Sequence, residues 1–130
     1  MSYSFIRMGA RSAVATDSAE LLARATSTAA RLLGIRNNRL AEVIGTSEAS
    51  VSRLSSGRVI DPESKEGELA LLFLRMYRSL DALVGGDDAK ARAWLHADNA
   101  HLGAVPAERI RRAEGLVDVI HYLDAMRGRL

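Results

Sequence analysis

The chain has 130 residues with 18 basic and 16 acidic side chains, and its 48% hydrophobic residues suffice for one medium domain or two small lobes sharing a core. It contains no cysteine, which excludes disulfides and cysteine-based zinc sites and fits a reducing cytoplasm. No apolar run approaches the roughly 20 residues of a membrane helix. Residues 1–15 lack the continuous apolar segment of a secretory signal, so we expect a cytoplasmic protein without a membrane partner.

The net charge of +2 is unevenly distributed. Residues 1–60 carry 8 basic and 4 acidic side chains, a net charge of +4, whereas residues 61–130 carry 10 basic and 12 acidic side chains, a net charge of −2. This asymmetry favours two partners of different kinds. A polyanion would bind the basic half, where positive charge displaces counterions from phosphates.

The predicted elements are helices throughout. Residues 1–16 show no sustained periodicity and are predicted to form a mobile arm, and the first helix begins at Thr16 or Asp17 and stops at Gly34. Because no segment alternates with a period of two, the predicted fold class is all-α. The later helices are predicted at Asn38–Ile44, at Glu48–Ser55, from Asp61-Pro62 to Gly85-Gly86, from Asp87 or Asp88 through Trp94, and from about Glu108 towards Met126.

The segment from Asn38 to Leu54 has the pattern of a helix-turn-helix, in which two short helices cross at a tight turn. Ala41 is small where the helices cross, Gly45 allows the positive φ angle of the turn, and Ser47 is placed to cap the second helix. An alternative is a helical hairpin that only packs. The apolar side chains predicted to bury the pair are Leu40, Val43, Ile44, Val51 and Leu54.

Four side chains of the second helix, Glu48, Ala49, Ser52 and Arg53, are predicted to face outward at the positions that read bases in the major groove. Arg53 suits a bidentate contact to guanine and Glu48 suits the cytosine amino group, while Ala49 suits a thymine methyl. Phosphate contacts that set the register are predicted for residues flanking the helices. These residues are Asn37, Arg39, Ser56 and Arg58.

This half of the chain resembles the Xre, phage-repressor-like family of helix-turn-helix proteins. The resemblance is carried by Leu40-Ala41, by the turn residue Gly45, and by Ser52-Arg53-Leu54 followed by Gly57. It implies operator DNA as a partner and residues 17–60 as a DNA-binding domain. A lone helix-turn-helix binds DNA weakly, so a homodimer that reads two half-sites is expected.

Residues 61–130 carry a second ordered set of features. Trp94 is a large anchor on an amphipathic helix, Asn99 and Gly103 fit a tight turn, and Pro106 restarts the chain as a helix. Gly115 within a helix costs about 1 kcal/mol relative to alanine, which indicates close approach by another backbone. The order Trp94-Leu95, Asn99, Leu102-Gly103, Pro106, Glu114-Gly115, Val119, Leu123 resembles the C-terminal domain of the MbcA/ParS/Xre antitoxin family.

This resemblance implies a helical toxin-binding and dimerisation domain, and a type II antitoxin that blocks an NAD-degrading RES-domain toxin and represses its own operon. It implies toxin contacts at Trp94 and Asn99, and at the C-terminal residues Arg127, Arg129 and Leu130. The guanidinium groups of Arg127 and Arg129 suit a pocket shaped for pyrophosphate only if acidic or polar groups also line it. Core packing of Trp94 and a frayed, solvated C-terminus are the alternatives. A stand-alone Xre-type repressor whose second half only dimerises is the alternative function.

No pattern of catalytic residues occurs in the sequence. His96 and His101 are five residues apart, a spacing that does not suit two metal ligands on one helical face, and Gly85-Gly86 lacks the Lys-Ser or Lys-Thr of a phosphate loop. We therefore predict no enzyme, no metal and no cofactor. The broad apolar face of residues 69–83, with the Trp94 region, is expected to exceed what one chain buries and to supply a symmetric dimer interface.

Overall fold

The computed structural model describes the backbone of residues 2–128 and the side chains of residues 17–128. Met1, Arg129 and Leu130 lie outside the described residues. Within residues 2–128 the chain forms helices without a strand, in agreement with the all-α prediction. The helices are α1 (Ser2–Leu32), α2 (Asn37–Ile44), α3 (Glu48–Ser52), a 3-10 helix (Arg53–Ser56), α4 (Lys65–Leu83), α5 (Asp88–His96), α6 (Pro106–Arg109) and α7 (Ala113–Met126).

Helix α1 is longer than the sequence indicated. It begins at Ser2, so the predicted start at Thr16 or Asp17 is wrong, and the residues expected to form an arm continue the helix. Because a helix adds residues to an existing turn cheaply, the stable segment after residue 17 extends back through a sequence with no proline. The mobility of that segment stays a prediction. At the other end Gly34 takes a φ of +68° and stops the helix, as predicted.

Helices α2 and α3 form the predicted pair. The five apolar residues chosen from the sequence, from Leu40 to Leu54, are all 5% exposed or less, and Ala41 is also 5% exposed. Gly45 ends α2 with a φ of +71°, and the Ser47 hydroxyl accepts a hydrogen bond from the backbone N–H of Ser50. The second helix is shorter than predicted, because after Ser52 the chain tightens into the 3-10 helix that Gly57 ends.

Helix α4 starts at Lys65 rather than at Asp61-Pro62, so the predicted start is wrong. Ser64 caps the helix by accepting from the N–H of Gly67, while Asp61 accepts from the N–H of Glu63 and closes a turn ahead of it. Gly67 is needed here because a Cβ at that position would lie 2.8 Å from Pro62 Cα. The turn and the helix therefore pack closer together than any larger residue allows.

The single predicted C-terminal helix from Glu108 to Met126 is divided. Helix α6 covers Pro106–Arg109, and α7 begins only at Ala113. Ile110 lies between them with 1% of its surface exposed, so its burial in the core turns the chain out of α6. Ahead of α6, Asn99 accepts hydrogen bonds from the N–H groups of His101 and Leu102, which confirms the predicted turn at Asn99.

One continuous hydrophobic core joins residues from α1 through α7. Helix α4 lies at its centre and packs against α1, α2, α5 and α7. Ile60 is fully buried, and its N–H donates to the carbonyl of Ala19, which ties the connection after the helix-turn-helix to α1. No helix within the described residues is long and apolar enough to cross a membrane. Because α4 packs against both α2 and α7, the helix-turn-helix shares its core with the second half of the chain.

Candidate DNA-binding and partner-binding surfaces

Hydrogen bonds between Ser47 and Ser50 organise the start of α3. The Ser47 hydroxyl donates to Ser50 Oγ at 2.9 Å and also caps the helix, and Arg53 Nη2 donates to Ser50 Oγ at 3.4 Å. These hydrogen bonds fix the position of the Arg53 side chain relative to the first turn of α3. All four predicted base-reading residues, Glu48, Ala49, Ser52 and Arg53, have exposed side chains.

The four predicted phosphate contacts divide into two pairs. Asn37 and Ser56 are exposed at the ends of α2 and the 3-10 helix. Arg39 and Arg58 are half-buried and each forms a two-pronged ion pair within the chain. The sequence did not indicate these ion pairs.

Arg58, which follows the 3-10 helix, links α3 to α4. Its guanidinium donates to both carboxylate oxygens of Glu66, at 3.1 and 2.7 Å, and to the carbonyl oxygen of Ser50 at 2.8 Å. With 25% and 18% of the two side chains exposed, this pair is partly shielded from water. A phosphate contact by Arg58 would therefore compete with Glu66.

Arg39 belongs to a network of four charges that connects α2 to the α6 region. Its guanidinium donates to both oxygens of Glu108, at 3.1 and 2.9 Å. Arg111 donates to Glu108 at 2.9 Å and to Glu42 at 2.6 Å. Hydrogen bonds from Arg39, and to a smaller extent from Arg111, lower the pKa of Glu108. Hydrogen bonds to Glu42, and to a smaller extent to Glu108, raise the pKa of Arg111.

Trp94 and Asn99 lie at an aromatic corner of the second half. The Trp94 ring stacks on Tyr122 of α7 with 6.1 Å between ring centroids, and the His101 ring lies 5.8 Å from Tyr122. Trp94 and Tyr122 are both half-buried, so each contributes to the core and keeps an accessible edge. Asn99 holds the loop that carries His101. The structure thus places two predicted partner-binding residues at one corner.

Arg127 lies elsewhere, folded against α4. Its Nη1 donates to the hydroxyl of Ser79 at 2.9 Å, and that hydroxyl donates to Asp124 at 2.7 Å. Arg75 donates to the second oxygen of Asp124 at 3.1 Å. The hydrogen bond from Ser79, and to a smaller extent the one from Arg75, lowers the pKa of Asp124. The other predicted C-terminal contacts, Arg129 and Leu130, lie outside the described residues.

The remaining histidine considered as a metal ligand has a structural partner. His96 Nε2 lies 2.8 Å from the carbonyl oxygen of Leu33, and it thereby joins α5 to the end of α1. Among the described residues no group of three or more His, Asp or Glu side chains is arranged to hold a metal ion.

Comparison with known families covers both halves. Residues 12–75 match the family model of the antitoxin Xre-like helix-turn-helix domain, and residues 79–129 match that of the antitoxin Xre/MbcA/ParS C-terminal toxin-binding domain. No curated protein matches significantly. The fold is similar to a chain in the crystal structure of the M. tuberculosis MbcT–MbcA toxin–antitoxin complex, with a TM-score of 0.62 and 24% identity over 84% of this chain and 96% of that chain.

The two matched ranges meet inside α4 and leave out only residues 1–11, 76–78 and Leu130. They follow each other in the order expected from the sequence, with the helix-turn-helix first and the aromatic corner and Asn99 turn in the second range. The chain therefore belongs to the Xre/MbcA/ParS antitoxin family, with an Xre-like helix-turn-helix domain followed by a C-terminal toxin-binding domain.

Proposed function

We propose that this protein is the antitoxin of a type II toxin–antitoxin system, which binds and blocks an NAD-degrading RES-domain toxin. The match of residues 79–129 to a toxin-binding domain carries the proposal. The fold shared with a chain of the MbcT–MbcA toxin–antitoxin complex supports it. The resemblance described from the sequence supplies the RES class of the toxin and its NAD substrate.

The toxin contacts in this proposal are the aromatic corner at Trp94, the Asn99 turn, and the C-terminal residues Arg127, Arg129 and Leu130. A half-buried Trp94 stacked on Tyr122 suits an interface anchor, because large aromatic side chains lose little conformational entropy when a partner covers them. Deletion of Arg129 and Leu130 tests the C-terminal contact. If the truncated chain inhibits the toxin fully, these two residues do not block its active site.

The test of antitoxin activity is co-expression with the product of the adjacent gene, followed by affinity pull-down and measurement of cellular NAD. We expect a complex of fixed stoichiometry and NAD depletion only when this chain is absent. Trp94→Ala, with Trp94 at the proposed interface, weakens the complex, whereas Val59→Ala, at an exposed apolar position after the 3-10 helix, leaves it intact. A chain that forms no complex and leaves NAD unchanged is not the antitoxin of that toxin.

We further propose that the protein represses its own operon in the cytoplasm as a homodimer through α3. The support is geometric: Glu48, Ala49 and Ser52 are exposed on the capped helix α3, whose other face is buried, and Arg53 is exposed at the start of the 3-10 helix that follows. Arg53→Ala is expected to weaken operator binding by about 10-fold, because a bidentate contact to guanine contributes roughly 1–3 kcal/mol. Arg112→Ala, at an exposed position at the start of α7, is the control for lost charge.

A stand-alone Xre-type repressor is the second candidate, and the complete helix-turn-helix favours it equally. The two functions differ in their second partner. A repressor alone binds its operator with unchanged affinity when the neighbouring gene product is present and has no effect on NAD. The pull-down and the NAD measurement therefore separate the two candidates.

A further inference from the structure

A pocket lined by three arginines lies between the second half of α4 and the C-terminal end of α7. It has a volume of about 400 Å³ and is partly open to solvent. Asp124 supplies the one carboxylate among its lining residues. The lining residues are Arg75, Arg78, Ser79, Ala82, Asp124 and Arg127.

The pocket is held together by a buried hydroxyl. Ser79 is 4% exposed, and it accepts a hydrogen bond from Arg127 while it donates to Asp124. Arg75 completes the arrangement by donating to the other oxygen of Asp124. Two of the three guanidinium groups are therefore positioned before any ligand arrives, so that binding an anion costs less conformational entropy than ordering free arginines.

The charges in the pocket do not balance. Three guanidinium groups and one carboxylate give a net charge of +2. Within residues 17–128, Arg75 is the pocket arginine that forms an ion pair, and neither Arg78 nor Arg127 has an acidic partner within salt-bridge distance. A guanidinium presents a planar fork that matches the two oxygens of a carboxylate.

The surroundings have the opposite sign. Outside the pocket, residues 61–130 carry seven basic and eleven acidic side chains. A positive pocket surrounded by acidic side chains attracts an acidic group of a partner to one place on this half of the chain, and it thereby orients the partner. Its elements also separate it from the candidate DNA surface, because α7 packs on α4 whereas α3 packs against α2 and the 3-10 helix.

We propose that this pocket is part of the toxin-binding surface and receives an acidic side chain of the toxin, held by Arg78 and Arg127. The proposal rests on the proposed antitoxin function and names the chemistry of one contact. It is supported by the position of Ser79, Asp124 and Arg127 within the matched toxin-binding range, residues 79–129. The group bound is a carboxylate because the proposed partner is a protein, whose Asp and Glu side chains match the guanidinium fork.

The test is charge reversal at the two arginines without a salt bridge. Arg78→Glu and Arg127→Glu are made in the full-length chain, and Arg112→Glu is the matched control, since its side chain is 82% exposed and lies outside the pocket. Affinity for the purified toxin is measured by calorimetry at about 0.05 M and about 0.3 M salt. Circular dichroism and thermal unfolding verify that the variants fold.

We expect each pocket variant to lose about 10-fold or more in toxin affinity at low salt, with a smaller loss at high salt, and the control to stay within about twofold. A toxin variant with the contacting acid changed to lysine restores affinity for Arg78→Glu. Pocket variants that bind the toxin as tightly as the control overturn the proposal while antitoxin function stands. Loss of operator binding in place of toxin binding overturns it as well, in favour of a phosphate ligand. A native chain that binds no toxin overturns the proposed function and this contact together.

Discussion

Gly115 lies in the first turn of α7, where the end of α6 passes close to the helix. A Cβ at this position would lie 2.8 Å from the carbonyl carbon of Arg109 and closer still to its oxygen. Both atoms belong to the backbone, so neither can move aside by changing a rotamer. Glycine is therefore required by the close packing of α6 on α7 rather than by a positive φ angle.

We expect Gly115→Ala to destabilise the protein by about 2–3 kcal/mol, because the added methyl forces the two helices apart. The measurement is the free energy of unfolding by urea. Gly85→Ala is the control. The φ of Gly85 is +66°, but no atom lies within 4 Å of the added Cβ, so the substitution lowers the free energy of unfolding only by the roughly 1 kcal/mol of backbone strain that it introduces. Equal destabilisation by the two substitutions would show that the close approach is absent.

Asp124 gives the stability of the protein a defined pH dependence. Hydrogen bonding from Ser79 and contact with Arg75 place the pKa of Asp124 below its ordinary value of 3.8. A carboxylate with a lowered pKa in the folded state contributes stability that is fully present above that ordinary value. The contribution is lost as the pH falls through the lowered pKa.

Asp124→Asn should therefore cost about 1–2 kcal/mol of unfolding free energy at neutral pH, since it weakens charge-assisted hydrogen bonds. The difference from the native chain should shrink as the pH falls below about 4. Urea unfolding at a series of pH values measures it, with the exposed Asp98→Asn as the control. A difference that is constant from neutral to acidic pH would exclude titration of Asp124 as its source.

At the scale of elements, α2 and the α6 region are joined through Arg39 and Glu108, which are 69 residues apart in sequence. Arg39 is also one of the two predicted phosphate contacts in α2. One guanidinium cannot serve both anions with the same donors, so Glu108 and DNA phosphate compete for it. The second half of the chain thereby opposes the proposed DNA binding of the first.

We expect Glu108→Gln to increase operator affinity about threefold or more at low salt and to steepen the salt dependence, because Arg39 is released to a phosphate. Filter binding or anisotropy at several salt concentrations measures both. Glu114→Gln, which removes an exposed carboxylate of the same domain, is the control for net charge. The gain should vanish in an Arg39→Ala background. If it persists there, the effect comes from general charge and not from release of Arg39.

The helix boundaries show how far local sequence signals reach. The start of α3 was predicted correctly from Ser47, because a hydroxyl cap acts within three residues. The end was misplaced because Gly57 marks the end of the 3-10 segment and not of α3 itself. The break between α6 and α7 was missed, since it depends on burial of Ile110 in a core that the local sequence does not reveal.

At the scale of the whole molecule, most of the apolar face of residues 69–83 is covered by the chain's own core. Phe73, Met76 and Leu80 are fully buried, so this face leaves less surplus for a dimer than the sequence suggested. The exposed apolar surface that remains includes Leu71, at 50% exposure, and Leu21, at 61%. Leu21 lines a groove between α1 and α4 with Leu74, one turn after Leu71.

We expect the protein to sediment as a dimer at micromolar concentration, with Leu71 and Leu21 in the interface. Leu71→Asp should give a monomer that keeps the native helix content, because a carboxylate in an apolar interface is left without a partner. Val59→Asp, at another exposed apolar position, is the control. A native chain that sediments as a monomer would refute the dimer, and a dimeric Leu71→Asp variant would move the interface elsewhere.

The sequence by itself determined the all-α class, the order of the two domains and the helix-turn-helix, since apolar period, caps and turn glycines act between residues less than two turns apart. It also predicted which side chains of this segment are exposed, namely Glu48, Ala49, Ser52 and Arg53. Only the tertiary structure decided that Arg39 pairs with Glu108 and Arg58 with Glu66, and that Arg127 meets Ser79 across 48 residues. The partners of Arg39 and Arg127 lie 69 and 48 residues away, and Arg58 and Glu66 belong to different elements, so all three contacts are set by how the helices pack around α4.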